Sequence, residues 1–274
     1  MHKNKIIFLD LDGTLIDHTL LPPASALEAI SLARVNGHKL YLNTGRSICQ
    51  IYDHIWEIGF DGFVGGNGIY IESDGKALFH QPIPPRLVEK VHKFLVDREI
   101  GFFEEGQDGL YAHPFFLTDL AGLLNISTGE AEAGTKRLFP KTSFNNLQWH
   151  AEVNKISIVL TEKADLKVIR EFLRPELVIG LWSIFGNERE FADIYQGGTS
   201  KGTAVELVMK HHNLPISDAF CFGDSSNDIE MVRMAGTGVA MGNAIPELKA
   251  VADHITETVA NDGLWKAFRQ VGLI

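Results

Sequence analysis

Short apolar runs alternate with helical patterns at the start of the chain. Apolar runs of about four residues predict buried strands, and apolar residues three and four positions apart predict helices. The pattern predicts the order β, α, β, α, β over Ile6–Leu9, Ala24–Val35, Leu40–Leu42, Ile48–Ile58 and Gly62–Val64. Such alternation favours a mainly parallel sheet with helices on both faces.

The parallel pattern is then interrupted. Ile69–Glu72 and Ala77–His80 flank an Asp-Gly turn, which predicts a hairpin. A proline cluster precedes the helical pattern Leu87–Leu95, and a mixed α and β pattern continues to about Glu188. We therefore predict an α+β domain over residues 84–188, inserted in the long interval between Thr44 and Lys201.

The α/β pattern returns near the end of the chain. Helices and short strands are predicted at Ala204–Met209, Ala219–Phe222, Asp228–Ala235 and Gly238–Ala240. Residues 1–83 and 189–274 are thus expected to form one core domain, interrupted by the inserted domain.

Composition excludes several classes of protein. The chain has 274 residues, 45% of them hydrophobic, and a net charge of −10 without any basic run, which argues against nucleic-acid binding. Two distant cysteines, Cys49 and Cys221, suggest neither disulfides nor zinc. The N-terminal apolar run is too short for a signal peptide, and no stretch of about 18 apolar residues predicts a membrane span. We expect a cytoplasmic protein without a membrane partner.

Four polar motifs follow predicted strands or begin helices. They are "DLDGT" at residues 10–14, "NTGR" at 43–46, "TSKG" at 199–202 and "GDSSND" at 223–228. The carboxyl ends of parallel strands meet at one edge of a sheet, where sites of such folds lie. Each motif alone is compatible with a turn or a helix cap. Together the four motifs predict a functional site at this edge of the sheet.

The charges of these motifs predict a bound cation. Asp10, Asp12, Asp224 and Asp228 contribute four negative charges, and Lys201 contributes one positive charge. Two like charges ~4 Å apart repel by about 4 kcal/mol at an effective dielectric constant of 20. Carboxylate oxygens are the ligands of hard divalent cations, and Mg²⁺ combines one or two of them with water and substrate phosphate.

The four motifs in this order resemble the haloacid dehalogenase superfamily of phosphotransferases. Their spacing and the inserted domain are similar to its Cof-type branch, the subclass IIB phosphatases with a C2-type cap. The resemblance implies an α/β fold in which a Rossmann-like three-layer core with a parallel sheet carries an inserted α+β cap domain. It also implies hydrolysis of a small phosphorylated metabolite, such as a sugar phosphate, nucleotide or cofactor phosphate.

The resemblance further implies a role for each motif residue. Asp10 would be the nucleophile that forms an aspartyl phosphate, and Asp12 would be the general acid and base. Mg²⁺ would bind to Asp10, Asp224 and the backbone carbonyl of Asp12. The phosphoryl oxygens would be held by Leu11, Thr44, Gly45, Lys201 and Asn227. Asp228 would support the metal or Lys201 without touching the substrate.

Other outcomes remain open from the sequence. The same aspartyl phosphate would serve a phosphomutase or another phosphotransferase, and a non-enzymatic phosphoaspartate switch shares several of these residues. Asn67 is either a turn residue or part of the site, and His211 and His212 most simply end a helix. In the cap, substrate contact is conceivable for Glu104, Glu105, Tyr111, His113 and Trp182. The sequence does not decide between a monomer and a dimer.

Overall fold

The chain folds into two compact units. The computed structural model describes residues 4–144, 152–182 and 190–274. The first unit contains Tyr52–His80, Thr199–Ile274 and the described residues of Met1–Arg46. The second contains Ser47–Ile51 and the described residues of Gln81–Gly198. The second unit is therefore inserted twice into the chain of the first.

The described residues contain fourteen strands in two sheets. The strands are β1 (Ile6–Leu9), β2 (Lys39–Asn43), β3 (Gly62–Gly65), β4 (Tyr70–Ser73), β5 (Lys76–His80), β6 (Phe102–Glu105), β7 (Leu110–Ala112), β8 (Thr142–Ser143), β9 (Lys155–Val159), β10 (Leu177–Trp182), β11 (Phe191–Gln196), β12 (Ala219–Gly223), β13 (Thr237–Ala240) and β14 (His254–Ile255).

The same residues contain ten α-helices. These are α1 (Ala24–Val35), α2 (Asp53–Trp56), α3 (Pro85–Val96), α4 (Pro114–Leu124), α5 (Thr128–Leu138), α6 (Leu166–Leu173), α7 (Lys201–His211), α8 (Ile229–Met234), α9 (Pro246–Lys249) and α10 (Gly263–Gln270). None of these helices, within the ranges that the structure describes, is long and apolar enough to cross a membrane.

The first unit is built on an eight-stranded sheet of order β14-β13-β12-β1-β2-β3-β4-β5. The strands from β14 to β3 are parallel to one another, and the β4–β5 hairpin adds two antiparallel strands at one edge. The predicted mainly parallel α/β fold is confirmed.

Successive side chains of a strand point to opposite faces, so both faces of this sheet are covered. Ile6 and Phe8 of β1 belong to the core formed with α7 and α8, which includes Val205 and Met231. On β12, Phe222 packs against Phe268 of α10, with ring centroids 5.1 Å apart. Helices on both faces make the three layers predicted from the sequence.

The second unit is built on a six-stranded sheet of order β10-β11-β9-β6-β7-β8. Helices α3 and α6 contribute Val91 and Ile169 to a core that also contains Ile156 and Ile158 of β9. A second core contains Phe103 of β6 and residues of α4 and α5. The unit is therefore an α+β structure with its own hydrophobic interior.

Strand β11 belongs to the sheet of the second unit. Phe191–Gln196 pairs in antiparallel fashion with both β10 and β9. The boundary predicted between residues 188 and 189 lies outside the described residues, and the core resumes only at Thr199. The predicted end of the inserted domain moves to residue 198, because its sheet needs β11 as an interior strand.

A single helix over Ile48–Ile58 was predicted, and this prediction is wrong. Residues 48–50 form one 3₁₀ turn, in which the Gln50 side chain accepts a hydrogen bond of 2.7 Å from the Ser47 backbone N–H. Ile51 and Tyr52 are then extended, and α2 begins at Asp53. The polar caps at Ser47 and Gln50 divide a segment whose apolar spacing alone is helical.

Charged side chains are buried in the sheet of the second unit. The Lys155 ammonium lies 2.7 Å from Asp193 and 3.2 Å from Glu105. The Ser47 hydroxyl donates to the second oxygen of Glu105 at 2.7 Å, and the Trp182 indole N–H donates to Asp193 at 2.7 Å. Burial raises the pKa of Glu105, against the opposing effect of Lys155. This set of charges is held by partners from four different strands and from the Ser47 turn.

We predict that Lys155→Met lowers the free energy of unfolding by about 3–5 kcal/mol, because two buried carboxylates lose their counter-charge. Lys93→Met is the matched control. Its partner is Asp97, the residue directly after helix α3, and both side chains are exposed, so the expected loss is below about 1 kcal/mol. Urea denaturation followed by circular dichroism measures both values. Equal losses for the two variants would contradict the assignment of Lys155 as a structural counter-ion.

Candidate active site

Three neighbouring strands of the first unit deliver polar residues to one edge of the sheet. Asp10 follows β1, Thr44 follows β2 and Asp224 follows β12, and these strands are adjacent in the order β12-β1-β2. Lys201 is the first residue of α7, whose Ser200 cap is stabilised by Thr203. The structure therefore brings all four sequence motifs together.

Lys201 bridges two carboxylates. Its Nζ lies 2.5 Å from Oδ1 of Asp10 and 2.6 Å from Oδ1 of Asp228, and all three residues are buried. Burial alone would lower the pKa of Lys201, but the two carboxylates outweigh it and raise that pKa above its usual range. The lysine is a permanent cation that fixes one oxygen of Asp10.

Asp228 acts as a support for its neighbours. Its Oδ2 accepts hydrogen bonds of 3.0 Å from the backbone N–H groups of Asp224 and Ser225, while its Oδ1 binds Lys201. Both carboxylate oxygens thus have partners within the protein. Asp228 therefore connects Lys201 to the backbone that follows β12, and its supporting role in a reaction stays a prediction.

Asp224 has a carboxylate oxygen without a hydrogen-bond partner among the described residues. This oxygen, Oδ1, is buried. Burial, followed by repulsion from Asp228, raises the pKa of Asp224 to about 7, and burial also raises the pKa of Asp10. Carboxylate oxygens of Asp10, Asp224 and Asp228 all lie within 4.8 Å of one another. An oxygen-rich, electron-rich group of this kind fits a divalent cation.

Gly13 leaves the space that Asp224 occupies. Its φ of +79° is left-handed, and a Cβ at this position would lie only 2.1 Å from Oδ2 of Asp224. The Asn243 side chain donates to the Gly13 carbonyl at 2.8 Å and to Asp224 at 3.2 Å. Asn243 lies outside the four motifs, and no sequence signal distinguished it.

Asp12 is held by an arginine that the sequence analysis did not single out. Nε and Nη2 of Arg46 each lie 2.7 Å from one oxygen of Asp12. The guanidinium carbon lies 5.2 Å from the centre of the Tyr52 ring, and Nη1 is 3.4 Å from the Tyr52 hydroxyl. Two cations, and not Lys201 alone, therefore face the four aspartates. The signal was present, since Arg46 ends the "NTGR" motif.

The remaining predicted residues surround this cluster. Thr44 is buried, and its hydroxyl accepts a hydrogen bond of 3.1 Å from the Arg46 backbone N–H. Leu11 is buried between the two aspartates, and its carbonyl accepts from the N–H groups of Leu15 and Ile16. A Cβ on Gly45 would lie 3.4 Å from the Asn227 amide nitrogen.

The other candidate residues have structural partners. His212 lies 2.7 Å from the Tyr41 hydroxyl, beyond the end of α7. In the second unit Glu104 pairs with His92, Tyr111 bonds Asp108, and His113 caps α4. Glu105 and Trp182 belong to the buried charge cluster around Lys155.

Comparison with known proteins identifies the family. Residues 7–268 match the family model for haloacid dehalogenase-like hydrolases, which spans nearly the whole chain. The chain belongs to the haloacid dehalogenase-like hydrolases. The resemblance seen in the four motifs is thereby confirmed.

Several relatives of this hydrolase are named as phosphatases. The chain is 29% identical over 272 residues to the pyridoxal phosphate phosphatase YbhA of Escherichia coli, which covers 93% of this chain and 96% of YbhA. It is similar to the solved structure of the phosphatase BT1666 from Bacteroides thetaiotaomicron, with a TM-score of 0.78, 27% identity, and 100% and 97% of the two chains covered.

A second solved structure gives the subclass. The subclass IIB sugar phosphatase BT4131 is 26% identical, with a TM-score of 0.73 and coverage of 99% of this chain and all of that one. The predicted enzyme class, a phosphoric monoester hydrolase, is confirmed by the family and its relatives.

We predict that Gly13→Ala lowers kcat/KM of the hydrolase for an aryl phosphate by about 100-fold, on the order of the loss of one positioned electrostatic group. The new Cβ must displace the Asp224 carboxylate. Gly75→Ala is the matched control, because Gly75 has a similar φ of +74° with nothing within 4 Å of the added Cβ. The control is expected to show only the backbone strain of about 1–2 kcal/mol in unfolding measurements. Similar activity losses in both variants would contradict a specific effect on Asp224.

Proposed function

We propose that this chain is a Mg²⁺-dependent phosphatase that hydrolyses a small phosphorylated metabolite through an aspartyl phosphate on Asp10. The observation that carries the proposal is the position of Asp10 within the cluster. One of its oxygens is fixed by Lys201 at 2.5 Å, beside the unpartnered oxygen of Asp224. The carboxylate is thereby oriented for attack beside an ammonium group that can offset negative charge on the phosphoryl oxygens.

The first step is the attack of an Asp10 oxygen on phosphorus. The bond from phosphorus to the leaving oxygen breaks, and Asp12 protonates that oxygen as general acid. In the second step Asp12 removes a proton from water, which attacks the same phosphorus and releases inorganic phosphate and the free Asp10 carboxylate. The two hydrogen bonds from Arg46 hold the Asp12 carboxylate in the structure, and the proposed mechanism requires Asp12 to give up one of them when it carries the proton.

The remaining site residues are proposed to offset the negative charge of the phosphoryl group. Lys201, Thr44, Asn227 and the backbone N–H groups of Leu11 and Gly45 are proposed to bind the phosphoryl oxygens. Mg²⁺ bound by Asp10, Asp224 and the Asp12 backbone carbonyl would supply positive charge to offset the carboxylates and the phosphate. The acceptor oxygens present in the cluster, including the unpartnered one of Asp224, fit that ion.

The substrate class is proposed from the relatives. YbhA is a pyridoxal phosphate phosphatase and BT4131 is a sugar phosphatase. A monophosphate ester of a sugar or of a cofactor is therefore the first class to assay. Release of inorganic phosphate separates hydrolysis from a mutase reaction, in which the phosphoryl group returns to a second hydroxyl. A cytoplasmic location remains a prediction from the sequence.

We predict that Asp10→Asn lowers kcat by at least about 1,000-fold, because the amide cannot form the covalent intermediate. In acid-quenched reactions, protein-bound phosphate is expected with the wild type and not with the variant. Chelation should abolish the activity and excess Mg²⁺ should restore it. Asp97→Asn, at an exposed position of α3's C-terminal end, serves as the control with unchanged kinetics. Activity that survives both chelation and Asp10→Asn would refute the proposal.

A second prediction concerns the arginine that holds Asp12. Arg46→Ala should lower kcat/KM for alkyl phosphates by about 100-fold, as expected for impaired general acid catalysis. The loss should be below about 10-fold for a nitrophenyl phosphate, whose leaving group needs little protonation. Arg34→Ala removes another arginine ion pair of the same unit, with Asp61, and should affect neither substrate. Equal losses for both leaving groups would show that Arg46 does not act through Asp12.

A further inference from the structure

The segment Gly66–Gly68 holds an asparagine in an unusual conformation beside the cluster. Asn67 has φ +57° and ψ +41°, the left-handed region that residues other than glycine adopt with strain. Its backbone N–H donates to the Thr44 carbonyl at 3.1 Å, and the Gly66 N–H donates to the Arg46 carbonyl at 2.9 Å. The segment is therefore fixed to the "NTGR" motif on both sides of Gly45.

The same segment also packs closely on the start of α7. A Cβ on Gly68 would lie 2.6 Å from the Ser200 carbonyl oxygen, so only glycine permits this approach without displacement. Ser200 directly precedes Lys201. The backbone around Asn67 is thus determined by two of the four motifs, which explains how a left-handed asparagine persists there.

The Asn67 side chain contacts a third motif. Its Oδ1 accepts a hydrogen bond of 2.9 Å from Nδ2 of Asn227. The opposite edge of the Asn227 amide is fixed as well, because the Ser225 hydroxyl donates to its Oδ1 at 2.7 Å. Asn227 is exposed, and these two hydrogen bonds fix the orientation of a side chain that would otherwise sample several rotamers.

Gly45 completes the arrangement. A Cβ at this position would lie 3.3 Å from Oδ1 of Asn67 and 3.4 Å from Nδ2 of Asn227. Both amides therefore lie over the Gly45 backbone, where the proposed phosphatase mechanism places a phosphoryl oxygen. An amide nitrogen carries two hydrogens. When one hydrogen of Asn227 Nδ2 is donated to Asn67, the other remains for the substrate.

We propose that Asn67 is a positioning residue that orients the Asn227 amide toward the phosphoryl group. This inference rests on the proposed function, since it assumes that Asn227 binds a phosphoryl oxygen. The left-handed backbone brings the Asn67 side chain to the "GDSSND" motif, while the Asn67 N–H is held by the "NTGR" motif. Asn67 would thereby couple two loops that approach the phosphate from different strands.

Replacement by glycine tests the side chain without disturbing the backbone, because glycine adopts a φ near +57° freely. Asn67→Gly is expected to lower kcat/KM for an aryl phosphate, and to weaken binding of inorganic phosphate, by about 10- to 100-fold, the range for a hydrogen bond to a charged group. Asn213→Gly is the matched control, since Asn213 has φ +53° and follows α7. It should leave both quantities unchanged.

A double-mutant cycle with Asn227→Ala tests whether Asn67 acts through Asn227. The double variant is expected to have the same kcat/KM as Asn227→Ala alone. Its affinity for inorganic phosphate, measured by calorimetry, should also be the same. Losses that multiply would overturn the proposal, because they would show that Asn67 acts independently. Unchanged kinetics and phosphate binding in Asn67→Gly would also overturn it. The phosphate measurement needs no turnover, so this outcome is distinct from a failure of Asp10→Asn to abolish hydrolysis.

Discussion

The bridge from Lys201 to Asp10 and Asp228 is the interaction on which the site depends. A buried lysine needs a counter-charge close by, and its two short contacts fix the ends of β1 and of the loop after β12 relative to the start of α7. The bridge satisfies one oxygen of Asp10 and leaves the cluster with an excess of negative charge. That excess favours a cation, whose charge would also offset that of an anionic ligand.

The two buried charge clusters of the chain differ in how completely their oxygens are satisfied. Around Lys155, each oxygen of Glu105 and of Asp193 has a hydrogen-bond partner within the unit. Around Lys201, an oxygen of Asp224 is buried without one. A saturated cluster stabilises a fold, whereas an unsaturated one is costly until a ligand completes it. The first cluster is therefore complete within the protein, whereas the second retains a buried acceptor oxygen with no hydrogen-bond partner among the described residues.

The fold and the four motifs were predictable because each rests on local sequence. The strand Ile6–Leu9 and the helix Ala24–Val35 have the bounds expected from apolar spacing, and the motif aspartates follow strands directly. The Lys155 cluster was not predictable, because its members come from strands far apart in the chain. The helix predicted over Ile48–Ile58 failed for a local reason, since the Gln50 side chain bonds the Ser47 backbone N–H and the chain is extended at Ile51 and Tyr52.

Arg46 and Asn67 show a different limit of sequence reasoning. Arg46 lies inside a motif and Asn67 follows a pair of glycines, so both positions stand out in the sequence. Neither residue type, however, indicates which side chain it will contact in the fold. Arginine pairs with whichever carboxylate the fold presents, and a left-handed asparagine is usually a turn residue. The position of the Asn67 side chain also depends on space that a glycine leaves open. Gly45 admits the amides of Asn67 and Asn227, as Gly13 admits the Asp224 carboxylate. The close approach is strict at Gly13, where a Cβ would lie 2.1 Å from Asp224, and milder at Gly45, where the nearest amide atom would lie at 3.3 Å.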